Sequence, residues 1–151
     1  MKPPLWRQDR ALYPHVFQIQ TRYRDEDSLN HINNIALAGY YDEARARFTR
    51  QVFQEAGVNF DTVRIVTADS RVTYLAEVFH PDMIDIGSGI LRIGKASYEI
   101  GQAMFQQGRC VGLCVTTFVQ ADATGARPLS EAYRAVLQKL LITAPAGAEA
   151  P

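Results

Sequence analysis

The chain lacks most of the features that assign a protein quickly. It has no net charge, with 16 Lys plus Arg against 16 Asp plus Glu. That balance argues against broad electrostatic binding to nucleic acid or to an anionic membrane surface, and neither partner is expected. Cysteine and histidine are scarce, at two and three residues, and no cluster has metal-ligand spacing. No metal or redox cofactor is therefore expected. No apolar run approaches the ~18 residues of a membrane span, and the N-terminal stretch holds no signal-peptide core. The expected location is the cytoplasm. There is no glycine-rich phosphate loop of the P-loop or dinucleotide type. Cys110 and Cys114, four apart on one strand, would stand roughly 13 Å apart, beyond the ~7 Å a disulfide spans. They read as two small apolar side chains on one buried strand face.

What is present is an ordinary globular composition, 47% hydrophobic and 21% charged over 151 residues. This suits one domain, 1–142, large enough to bury a core without staples. The tail 143–151, TAPAGAEAP, is expected to be disordered. Residues 15–24 alternate, with Phe17, Ile19, Thr21 and Tyr23 on one face, which predicts a half-buried strand. Residues 33–56 carry a helical stripe of Leu37, Tyr41, Ala44, Phe48 and Val52, widened by Ile35, Tyr40 and Phe53. Asn33 or Asn34 suits the N-cap and Gly57 the C-cap. Ala36, Ala38, Gly39, Ala44 and Ala46 would let another element approach this helix closely. Strands are predicted at 63–68, 70–79, 84–93, 95–105 and 109–120, then a short helix capped by Ser130. One strand, a long helix and a run of consecutive strands make an α+β fold.

The turn 25–34, DEDSLNHINN, packs three carboxylates, a histidine and three asparagines between a strand and a helix start. Loops on a rigid scaffold carry function. A helix N-terminus offers unpaired N–H groups to an oxyanion. A polar turn with capping asparagines would have the same composition.

The stretch RYRDEDSLNHINNIALAGYYDEARARF resembles the signature of hotdog-fold acyl-CoA thioesterases of the 4-hydroxybenzoyl-CoA thioesterase type. In many of these, Asp-x-Asp is followed by Gly-His-Val-Asn-Asn, an apolar-aromatic helix and a Glu-x-x-Arg-like end. Tyr74, Pro81, Gly94 and Ser97 also fall at familiar places. The resemblance implies a hotdog fold, an antiparallel sheet of about five strands around one long helix. It implies a dimer with sites at the interface, often doubled to a tetramer. It places the catalytic carboxylate on Asp27 and the family histidine on His31. The paired asparagines fall on Asn33 and Asn34. Asn30 replaces the family's Gly and must take its backbone conformation, and Leu37 stands where an early Tyr is common.

The implied reaction is hydrolysis of an acyl-CoA thioester, with coenzyme A present only as part of the substrate. Asp27 would act as general base or nucleophile. Helix-start N–H groups around Asn33, Asn34 and Ile35 would serve as oxyanion donors. His31 would bond the carbonyl or lock the turn. Asp25, nearer the strand, is expected to tolerate change better than Asp27. Tyr40 and Tyr41 are candidates for acyl-pocket walls or for core, and Ser97 for lining the site or shaping its strand. Arg92, Lys95 and Arg109 could meet CoA phosphates or simply face solvent. His80 and His15 read as ordinary surface and pre-strand residues. Two other readings stay open: a hotdog enoyl-CoA hydratase or dehydratase, and a non-catalytic acyl-binding protein. In the hydratases Asp and His stand five apart, whereas Asp27 and His31 stand four apart.

Overall fold

The computed structural model describes residues 2–148. Strand β1 spans His15–Gln20, and helix α1 spans Asn34–Ala56. Then come β2 (Ile65–Tyr74), β3 (Met83–Ile93), β4 (Ser97–Gln106), β5 (Arg109–Asp122), the two-residue β6 (Gly125–Ala126) and helix α2 (Glu131–Lys139). The main sheet runs β1-β3-β4-β5-β2, every neighbour antiparallel, with β6 pairing the end of β5. This curled sheet with one 23-residue helix on it is the hotdog fold.

Helix α1 begins and ends where its caps are. The Asn33 side chain accepts the N–H of Ala36, and Gly57 closes the helix at φ 64°, a conformation glycine adopts without strain. All five residues of the predicted stripe are buried. Leu37, Tyr41 and Ala44 pack on Ile84, Ile86, Met104 and Cys114. Phe48, Val52 and Phe53 pack on Ile90, Tyr98 and Ile100, with Tyr133, Val136 and Leu137 of α2 closing that end. Full burial of a side chain such as Phe48 is worth roughly 1.5–3 kcal/mol. Ile35 does not join them and is 86% exposed. It precedes Leu37 by two positions, which puts it on the far side of the helix.

Of the small residues, only Ala44 lies fully against the sheet. Ala38, Gly39 and Ala46 are exposed, and nothing stands within 4 Å of a Cβ built on Gly39. The opposite face of the sheet carries Leu113, Ala103 and Phe105 under Tyr13 and Ile142. An N-terminal segment crosses this face, with Arg7 bonded to the Cys114 carbonyl and the Tyr13 hydroxyl to the Arg7 carbonyl.

Three expectations are corrected. The segments 63–68 and 70–79 are one strand, β2, with a bulge between Thr67 and Asp69 that keeps the pairing with β5 running. Beyond Tyr74 the chain leaves the strand, and the N–H groups of Leu75 and Ala76 both reach the Val111 carbonyl. The first strand stops at Gln20, because the chain turns into a single 3-10 turn at Tyr23–Asp25, and Tyr23 is 78% exposed. The two cysteines do not share a face. A register shift opposite Met104/Phe105 sends Cys110 to the outer cluster and Cys114 to the helix side. Both thiols are free. In the tail, 143–148 include a turn closed by the Ala148 N–H on the Pro145 carbonyl, and 149–151 lie outside the described residues. Among the described residues no helix is long and apolar enough to cross a membrane.

Candidate active site

The turn after β1 folds back on itself through its own backbone. The Asp27 N–H donates to the His31 carbonyl (3.0 Å) and the Asn30 N–H to the Asp27 carbonyl (3.1 Å). Closing so small a loop needs one left-handed residue, and Asn30 supplies it at φ 62°. Asn tolerates this region better than most residues, which is why it can stand where the resembled signature has Gly. Asp27 Oδ1 accepts the Leu29 N–H at 2.9 Å, fixing the carboxylate.

This loop turns His31 back over Asp27. His31 Nδ1 lies 3.7 Å from Asp27 Oδ2, and its Nε2 lies 3.9 Å from Glu77 Oε1. These are charge-range contacts, too long for hydrogen bonds. Both side chains stay reachable, 21% exposed for His31 and 31% for Asp27. Glu77 arrives because the chain leaves β2 at Tyr74 and ties back to the turn, the Ile32 N–H donating to the Val78 carbonyl at 2.8 Å. His31, Asn34, Leu37, Tyr74 and Glu77 help to line an open cavity of about 240 Å³. Tyr74 reaches over it to the Asn34 carbonyl at 3.4 Å.

The helix start meets this cavity at Asn34. Asn33 uses its side chain twice, accepting from Ala36 N–H (2.8 Å) and donating to the Asp25 carbonyl (2.9 Å). Its main-chain carbonyl takes the Leu37 N–H. Among the described residues, the N–H groups of Asn34 and Ile35 are left without a protein acceptor. Those two donors, at the positive end of a 23-residue helix, suit an oxyanion.

Asp25 is built differently from Asp27. Its Oδ2 receives the Tyr40 hydroxyl at 2.6 Å and Arg22 Nε at 2.9 Å, and its side chain is only 14% exposed. The Tyr40 hydroxyl and the Arg22 guanidinium hold its carboxyl below the ordinary range, and burial opposes them only in part. Tyr40 is pushed up, by burial first and then by the Asp25 carboxylate. Asp25 is therefore a strut of the turn, held by Tyr40 and Arg22 where Asp27 is held by the Leu29 N–H.

The remaining predicted site residues are not brought to the cavity. Tyr40 is fully buried, its ring in the core and its hydroxyl on Asp25. Tyr41 lies beneath the sheet, where a Cβ on Gly112 would stand 2.7 Å from its hydroxyl. That hydroxyl has no hydrogen-bond partner, and burial pushes it far above the usual tyrosine range. Ser97 pairs with Val119, whereas Tyr74 pairs with Gly112. Seven residues of β5 separate the two, about 23 Å at ~3.3 Å per residue. Ser97 therefore stands away from the turn of its own chain, beside Gly94. His80 is not a plain surface residue: its Nδ1 lies 3.3 Å from Thr21 Oγ1, and Tyr23 packs edge-on against it. Glu77 was not foreseen, because a continuous strand over 70–79 gave it no reason to meet His31. Among the described residues no group of three or more His, Cys, Asp or Glu is placed to hold a metal ion.

Comparison with known proteins agrees with this architecture. A family model described as the thioesterase-like superfamily matches residues 21–140. A protein of Pseudomonas aeruginosa superposes with a TM-score of 0.74 at 25% identity, covering 90% of this chain and 97% of its own. A Thermus thermophilus thioesterase solved with coenzyme A and Zn gives 0.74 at 25% identity over 85% of this chain and 94% of its own. A predicted thioesterase from Bacillus stearothermophilus, at 23% identity, gives 0.75 over 83% and 95%, a likeness of fold. Comparison with curated proteins gave no match. The turn that carries Asp27 and His31 and the helix that follows it lie inside the matched span, and the chain belongs to the thioesterase-like superfamily as a thioester hydrolase of hotdog fold.

Proposed function

We propose that the protein hydrolyses acyl-CoA thioesters at the turn 25–34, with Asp27 as the reacting carboxylate. The observation that carries this is the build of one turn: an anchored, reachable carboxylate at Asp27, a histidine over it that lines the cavity, and a helix start with two unengaged N–H groups that reaches the same cavity at Asn34. The thioester carbonyl would sit against the Asn34 and Ile35 N–H groups, which stabilise the charge that builds on its oxygen. Asp27 takes a proton from the attacking water or attacks the carbonyl carbon itself. When Asp27 acts as base, the C–S bond breaks, the proton it took passes to the leaving sulfur, and the free acid and the CoA thiol depart. When it attacks directly, the CoA thiolate leaves first, and water then cleaves the Asp27 acyl anhydride, restoring the carboxylate and supplying the proton to the thiolate. His31, between Asp27 and Glu77, steadies the carbonyl or the carboxylate. Coenzyme A in the Thermus thermophilus thioesterase supports CoA as the thiol half of the substrate.

A homo-oligomer completes this reading. Among the described residues strand β2 pairs only with β5, and its middle, 67–71, is exposed. Such an edge is a liability that a second copy removes. Antiparallel pairing of two β2 edges would set Tyr74 of one chain beside Ile65 of the other. The exposed Ala38, Gly39 and Ala46 would let the second copy come close to α1. The test is release of free thiol from a panel of acyl-CoAs of graded length, with light scattering on the same sample. Hydration or simple binding releases no thiol, so absence of release across the panel refutes the proposal.

A further inference from the structure

A second, larger cavity, about 670 Å³, opens on the sheet face that α1 does not cover. The sheet contributes Leu91, Leu113 and Val115, and the N-terminal segment closes over them with Pro3 and Pro4. Around this aliphatic lining stand four cationic side chains, Lys2, Arg7, Arg71 and Arg92, against one carboxylate, Glu99. The chain as a whole is neutral, so the excess is local. Arg92 is paired with Glu99 (3.1 Å), and Arg71 lies 3.4 Å from Asp69, both at the exposed rim.

Arg7 is different. It is only 5% exposed, and its Nη2 donates to the Cys114 carbonyl at 3.0 Å. Its Nε has no partner, and no carboxylate among the described residues pairs with it. A buried cation without an anion is costly and calls for a counter-charge. The guanidinium fork suits a carboxylate. No aromatic side chain lines the cavity among the described residues, so nothing there stacks on a base or an aryl ring. The volume lies within the ~300–1,000 Å³ of small-molecule sites.

We propose that this cavity binds an aliphatic carboxylate, its head on Arg7 and its chain along Leu91, Leu113 and Val115. The ligand would pin the N-terminal segment to the sheet. The site lies across the sheet from α1 and does not depend on hydrolysis at Asp27.

The test is calorimetric titration of the full chain with octanoate, decanoate and dodecanoate, beside decanol and inorganic phosphate. The carboxylates should bind, whereas decanol and phosphate, each lacking one half of the ligand, should not. Arg7→Met should weaken binding at least about tenfold, the worth of one charge-assisted hydrogen bond. Val115→Phe fills the cavity with Arg7 intact and should also abolish binding, which keeps the test decisive if Arg7→Met does not fold. Asp27→Asn should bind normally. Failure of every carboxylate at millimolar concentration would overturn the proposal. So would equal binding of decanol, unchanged affinity in Val115→Phe, or loss of binding in Asp27→Asn, which would put the ligand at the turn instead.

Discussion

Replacing Asp27 by Asn separates chemistry from folding, because the turn uses Asp27 in a way that Asn can largely imitate. Asn retains an Oδ1 for the Leu29 N–H, now as a neutral acceptor, at a cost of about 1 kcal/mol. The contact with His31 is 3.7 Å long and partly exposed, so its loss costs under ~1 kcal/mol. For a domain of this size each kcal/mol lowers the melting temperature by about 2–4 °C, so a small shift is expected. Turnover should fall much further. Asn has neither basicity nor nucleophilicity, and loss of a general base typically costs ~100- to 10,000-fold, or about 3–5 kcal/mol. The assay is thiol release from the best acyl-CoA of the panel, with circular dichroism and thermal melting on the same preparation. Retention of more than about a tenth of wild-type turnover, below the general-base range, would refute the assignment. Glu77, the other carboxylate near His31, would then be the next to test.

Three further outcomes follow from the geometry. Asp25→Asn should lower stability at neutral pH, since it weakens the acceptor for Tyr40 and Arg22. A carboxyl held low in the folded state stabilises above its unfolded value of ~3.9, and that stability is lost as pH falls through the folded value. Urea titrations from pH 7 to 2 should therefore show an acid decline below about pH 4 that is flatter in Asp25→Asn, and equal slopes would refute the strut role. His31→Ala should reduce turnover less than Asp27→Asn; a single oxyanion donor is worth ~100- to 1,000-fold, and an effect under about threefold would leave His31 with a structural role only. Gly112→Ala should destabilise by roughly 1–3 kcal/mol, because the new methyl would meet the rigid Tyr41 hydroxyl at 2.7 Å and the Thr73 carbonyl at 3.2 Å. Combining it with Tyr41→Phe should recover much of that loss in denaturant melts, and strict additivity would show that the two do not meet.

Local patterns were legible in the sequence wherever the cause was local. The stripe Leu37, Tyr41, Ala44, Phe48 and Val52 is buried because helical period and burial are the same fact seen twice. Asn33 and Gly57 cap the helix because capping is a matter of one side chain or one φ angle. The resemblance implied that Asn30 takes the backbone conformation of the family's Gly, and φ 62° meets that expectation. What sequence could not decide was where separate segments meet. Asp25 and Asp27 are equivalent in composition; only the packing of α1 brings Tyr40 onto Asp25 and leaves Asp27 reachable. Glu77 meets His31 because β2 stops at Tyr74 and the Val78 carbonyl is tied to Ile32, a long-range contact with no local signature. Ser97, a familiar position in the motif, is carried to the far end of its strand by the sheet register. Arg7 is buried only because the N-terminal segment folds over the outer face of the sheet, and nothing in MKPPLWRQDR announces that contact. Local periodicity determined the elements; strand register and the crossing of distant segments determined which charges share a site.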